Sequence, residues 1–91
     1  MNIKVKYFAY FRELFGMKER DISLSPPAPV RDLLERICDT PARRAELFDG
    51  ERLKAHIVVM IDGTALPAAT GLDTTLVDGV VVSVFPLMGG G

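Results

Sequence analysis

The sequence predicts an α+β domain in which a mixed sheet carries one long amphipathic helix across one face. Three observations predict it. Residues 3–7 and 21–25 alternate apolar and polar side chains with the period of a strand. Val30, Leu33, Leu34 and Ile37 fall at i, i+3, i+4 and i+7, with Arg31, Asp32, Glu35 and Arg36 on the opposite face. Residues 80–85 form a run that is apolar on both faces, which predicts a central strand near the end of the chain.

The elements follow in order. Ile3, Val5 and Tyr7 alternate with Lys4, Lys6 and Phe8, and both faces turn apolar at Phe8 and Ala9, as in a strand running from an edge into the middle of a sheet. Residues 10–15 change to a short helical turn closed by Gly16, a residue suited to a left-handed C-cap. Ile22 and Leu24 then mark a second strand, the antiparallel neighbour of the first. Pro26, Pro27 and Pro29 exclude a strand interior, and Pro29 suits the first position of the long helix. Residues 38–56 are the least informative stretch. Thr40-Pro41 breaks the chain there, and residues 42–48 offer Ala45, Leu47 and Phe48 as anchors for a second short helix. Residues 56–61, rich in Val and Ile, read as a buried strand ended by the Asp62-Gly63 turn. Pro67 confines residues 65–67 to a sheet edge. Residues 70–73 and Asp78-Gly79 are further turns around a short piece at 74–76, and the last strand follows. Two antiparallel strands, one long helix and a final central strand are the parts of a β-grasp sheet, with the last strand parallel to the first.

Ninety-one residues make a single domain, expected over 1–91, with residues 86–91 as a flexible, protruding tail. Apolar residues make up 48% and charged residues 25% of the chain, as in ordinary globular proteins. A formal net charge of −1 gives no general attraction to nucleic acid or to an anionic membrane. Cys38 is the single cysteine, which excludes an intramolecular disulfide and fits a reducing compartment. The N-terminus lacks the apolar run of a signal peptide, and no stretch approaches the ~20 apolar residues that span a bilayer. A cytoplasmic location is the expectation.

No side chains form a catalytic constellation. Cys38 follows the apolar stripe and reads as a core filler. His56 has no cysteine partner at metal-binding spacing, so no metal site is expected. The carboxylates are scattered or lie on a solvated helix face. What stands out is the end of the chain, Pro86-Leu87-Met88-Gly89-Gly90-Gly91. Three glycines cannot pack a core and lose much conformational freedom on ordering. A side-chain-free segment after a buried strand can thread a narrow tunnel and present its α-carboxylate to chemistry there. The carboxylate of Gly91 is the one group expected to react.

With these residues in view, the chain resembles the MoaD/ThiS ubiquitin-like sulfur carriers. The resemblance rests on Phe8-Ala9-Tyr10-Phe11-Arg12-Glu13-Leu14-Phe15-Gly16, on the strand and turn at Asp62-Gly63, and on Asp78-Gly79, twelve residues before Gly91. It departs from the family at Leu87, where a second proline is common, at Gly89, and at Val80 and Val81 after the turn. It implies a ubiquitin-like β-grasp fold and a Gly90-Gly91 end whose terminal carboxyl is adenylated and converted to a thiocarboxylate. It implies no cofactor held by the chain itself, the ATP and magnesium being those of an activating adenylyltransferase of the MoeB/ThiF type. It also implies a sulfur donor protein and a MoaE-like large subunit of molybdopterin synthase, the chain being the carrier subunit of that sulfurtransferase. Phe8, Leu66 and Phe85 are expected to form an apolar docking patch beside Pro86, Leu87, Met88 and Gly89. The alternatives are a carrier for thiamine thiazole and a ubiquitin-like modifier joined to lysines.

Overall fold

The computed structural model describes residues 1–68 and 70–87. Five strands form one sheet in the order β2-β1-β7-β5-β6: β1 (Asn2–Tyr7), β2 (Glu19–Ser23), β5 (Ile57–Ile61), β6 (Thr64–Ala65) and β7 (Val81–Pro86). β1 pairs antiparallel with β2 and parallel with β7, and β5 pairs antiparallel with β7. The last strand is therefore central, parallel to the first, as its two apolar faces predicted.

The pleat separates two faces. Ile3, Val5, Tyr7, Ile57, Val59, Val82 and Val84 turn inwards and are buried. Against them lies α2 (Val30–Ile37), whose Val30, Leu33, Leu34 and Ile37 are fully buried, so the i, i+3, i+4, i+7 stripe is the helix's core face. Pro29 is the N-cap, one position earlier than expected. Its helix start is held by the segment after a 3-10 turn at Gly71–Asp73: the Val30 amide donates to the Thr74 carbonyl at 2.8 Å, and Pro29 bridges Thr75. The opposite sheet face carries Lys4, Lys6, Val58, Met60, Val81, Ser83 and Phe85.

Three further features differ from the sequence expectation. β1 ends at Tyr7 and does not continue through Phe8 and Ala9, because Ala9 takes φ +54 and turns the chain into α1 (Phe11–Phe15). An alanine carries no sequence signal for left-handed backbone, so the local pattern alone continues the strand through this turn. Residues 41–53 are more regular than expected. Thr40 caps α3 (Pro41–Leu47) by accepting the Arg43 amide, and a small hairpin follows, β3 (Phe48–Asp49) with β4 (Arg52–Leu53). Finally, Pro86 belongs to β7. It is buried, pairs with Ile57, and lies beyond Val84, the last β7 residue paired with β1, so its missing N–H leaves no ladder bond unmade. A flexible tail beginning at 86 is thereby corrected: the Leu87 amide still donates to the His56 carbonyl.

Candidate docking surface and tail root

The end of β7 and the turn after β1 bring Phe85 and Phe8 together on the outer face. Their rings meet edge to face, centroids 5.9 Å apart at 82°, a favoured aromatic geometry. Parallel pairing makes this possible, because Tyr7 lies opposite Val84 and Phe8 therefore falls beside Phe85. On the other flank Val58 pairs with Phe85, and Met60 with Ser83. Phe8, Met60, Ser83 and Phe85 line a shallow apolar depression at the root of the tail.

Phe8 is held from its other side by Arg12. The Arg12 Nε–H donates to the Tyr7 carbonyl at 2.9 Å, and its guanidinium carbon lies 5.3 Å from the Phe8 ring centroid. Thus the Phe8-Ala9 turn and α1 cooperate: the left-handed Ala9 brings Arg12 back over the strand it has just left.

Leu66 does not join this patch. Its amide donates to the Val59 carbonyl at 2.9 Å, and its side chain packs at the margin of the core, on the face opposite Phe85. A Cβ on Gly71 would stand 2.7 Å from the Leu66 Cβ, so these two positions are in close contact. The apolar partner that replaces Leu66 in the patch is Met60. Period-2 alternation in β5 pairs Val58 with Met60 on one face, but which face looks outwards is set by pairing with β7.

Pro86 is buried in β7 and Leu87 is exposed. Met88, Gly89, Gly90 and Gly91 lie outside the described residues.

Cys38 and the Glu35–Arg44 pair belong to the fold. Cys38 is buried, and burial first, with Glu35 second, pushes its thiol up to about 12. Arg44 donates two hydrogen bonds to Glu35, at 2.9 and 3.1 Å, and holds that carboxyl below the usual range. His56 is exposed in the turn before β5, which begins at Ile57. Among the described residues, no three metal-ligating side chains gather, and no helix is long and apolar enough to cross a membrane.

Fold and site together define a ubiquitin-like β-grasp protein whose central last strand leads, past an aromatic patch, into a glycine end. Comparison with known proteins agrees. A family model described as the ThiS family matches residues 5–91, and the chain belongs to that family. Small archaeal modifier protein 3 of Haloferax volcanii is 32% identical over 92 residues, covering 100% of both chains. A solved structure of a putative molybdopterin converting factor, subunit 1, from Pyrococcus furiosus is 36% identical, with TM-score 0.74 over 94% of this chain and 97% of that one. The solution structure of the small archaeal modifier protein 1 from Methanosarcina acetivorans is 30% identical, with TM-score 0.80 over 99% of this chain and 96% of that one. The protein is thus of the ubiquitin-like sulfur-carrier and modifier kind.

Proposed function

We propose that the carboxylate of Gly91 is adenylated by a ubiquitin-activating-type partner that uses ATP and magnesium, and is then converted to a thiocarboxylate. A carboxylate resists attack until one oxygen is made a good leaving group. Adenylation does this with release of pyrophosphate, and sulfide then attacks the carbonyl carbon and displaces AMP. Where the donor is a persulfide, the acyl disulfide first formed releases the thiocarboxylate when a thiol attacks its donor-side sulfur, leaving a disulfide on the donor. The observation that carries this reading is the placement of the aromatic pair Phe8–Phe85 beside the end of β7, on a chain whose last three residues are glycine. The rigid strand and patch supply recognition, and the glycines supply slimness.

In the finer reading the thiocarboxylate gives its sulfur to the dithiolene of molybdopterin, with this chain as the small subunit beside a MoaE-like large subunit. The 36% identity to the putative molybdopterin converting factor subunit supports it. A second reading has a separate observation behind it, the full-length similarity to small archaeal modifier protein 3. There the activated Gly91 carbonyl would pass to a lysine amine of another protein.

One experiment tests both. The chain is incubated with an adenylating enzyme of its own source, ATP, magnesium and sulfide, and the product is weighed by mass spectrometry. Exchange of one oxygen for sulfur at Gly91, abolished by deleting Gly91, supports the carrier. Isopeptide links from Gly91 to lysines in a cell extract, without sulfur transfer to a molybdopterin precursor, favour the modifier. An intact chain left unchanged in both assays refutes activation at Gly91.

A further inference from the structure

The Phe8 ring has two sides with different neighbours. One side belongs to the apolar depression with Met60 and Phe85. The other closes a cleft lined by Lys6, Tyr7, Phe8, Arg12, Lys18 and Glu19. Three cations and one carboxylate line this cleft on a chain whose net charge is −1, so positive charge is concentrated here. The lone carboxylate, Glu19, is drawn towards Lys4, 3.7 Å away. Among the described residues Lys6, Arg12 and Lys18 enter no ion pair. Arg12 uses its Nε–H on the Tyr7 carbonyl, which fixes the guanidinium plane while its terminal nitrogens make no hydrogen bond within the described residues.

We propose that this cleft is the second half of a two-part docking surface. It receives the carboxylates of an acidic protein segment whose adjoining apolar side chain rests on the Phe8–Met60–Phe85 depression. The segment belongs to the enzyme that activates the tail, so this assignment rests on the function proposed above. Charge complementarity selects the occupant: a preoriented guanidinium fork and two lysines match carboxylates, and the adjoining apolar surface matches a side chain. A nucleic acid is the poorer match. Glu19 and Asp21 border the cations on β2, and a net charge of −1 gives a phosphate backbone no general attraction to the chain.

The test has two arms. In the first, the isotope-labelled chain is titrated with a blocked Glu-Phe-Asp peptide and, separately, with a single-stranded oligouridylate. The peptide should shift the amides of Lys6, Phe8, Arg12, Lys18 and Phe85, and the effect should weaken as salt screens the charges. The Lys6→Glu/Lys18→Glu variant should bind the peptide roughly tenfold more weakly. Lys6 is half-buried and Lys18 exposed, and the Lys6→Gln/Lys18→Gln variant, with an unchanged melting temperature, controls for folding. Absence of shifts at these residues, or stronger shifts there with the oligonucleotide, overturns the proposal.

In the second arm, pyrophosphate exchange by the activating enzyme is measured against chain concentration. The charge-reversed variant should raise KM roughly tenfold with little change in kcat. An intact chain that is adenylated, with the same KM in the variant, overturns the cleft while leaving the carrier reading standing. An intact chain that is not adenylated removes the carrier reading and, with it, the assignment of the segment to an activating enzyme.

Discussion

The Asp62 carboxylate accepts the Val81 amide at 2.9 Å, and the Asp62 amide donates to the Val81 carbonyl, also at 2.9 Å. This reciprocal pair joins the turn after β5 to the first residue of β7. Asp62 has φ +47 and Gly63 φ +84, so the turn needs two left-handed residues, and aspartate tolerates that conformation better than most. Asp62→Ala should therefore lose a hydrogen bond and add backbone strain, costing about 1–3 kcal/mol in urea unfolding. Asp62→Asn, which keeps an acceptor oxygen and tolerates positive φ, should lose much less. Equal losses in the two variants would show that the side-chain bond does not hold the turn.

Leu33 and Leu34 are both fully buried between α2 and the sheet. Truncation of either to alanine should cost ~2–5 kcal/mol, the transfer free energy of the lost groups plus the cavity left behind. Thermal or chemical unfolding measures this. A stability change below about 1 kcal/mol for both would contradict their placement on the core face.

Cys38 should resist thiol reagents in the native protein. Its thiol is buried and pushed up to about 12, so almost no thiolate exists at neutral pH and little of it is accessible. Reaction with an aromatic disulfide reagent should be slow in buffer and fast in strong denaturant. Cys38→Ser should not alter sulfur loading at Gly91. Rapid native labelling, or sulfur found on Cys38, would place the thiol in a different environment.

The Glu35–Arg44 pair makes an acid-sensitive contribution to stability. Hydrogen bonding by Arg44 is the main cause of the lowered Glu35 pKa. A depressed carboxyl pKa stabilises the fold above the ordinary value near 4.5, and that contribution fades as pH falls through the lower folded value. Unfolding measured between pH 7 and pH 2 should show the native chain losing this increment on the acid side. Glu35→Gln should be less stable at neutral pH, and its difference from the native chain should shrink in acid. Since both side chains are more than a third exposed, the effect should be small and salt-sensitive. A difference constant across that range would remove Glu35 as the titrating group.

The sequence by itself determined the parts of this protein and their order. Local patterns were sufficient where one face of an element meets the core: the α2 stripe, the alternation of β1, and the doubly apolar β7 each state their burial in their own residues. Gly16 and Gly63 announced left-handed turns, because only glycine adopts those angles freely, and both have positive φ. The glycine end and its reactive carboxylate were likewise read from residue type alone. Tertiary structure decided what depends on two segments at once. Leu66 and Met60 are both apolar residues near the β5–β6 turn, but strand pairing sends Leu66 to the core margin and Met60 to the outer patch. Pro86 reads locally as a strand breaker, yet it remains in β7 because β1 has already ended beside it. Arg12 and Phe8 lie four positions apart, and only the left-handed turn at Ala9 folds the guanidinium back over the ring. In each case the deciding quantity is register or a backbone angle, which arises from contacts between distant residues and leaves no periodic trace in either segment.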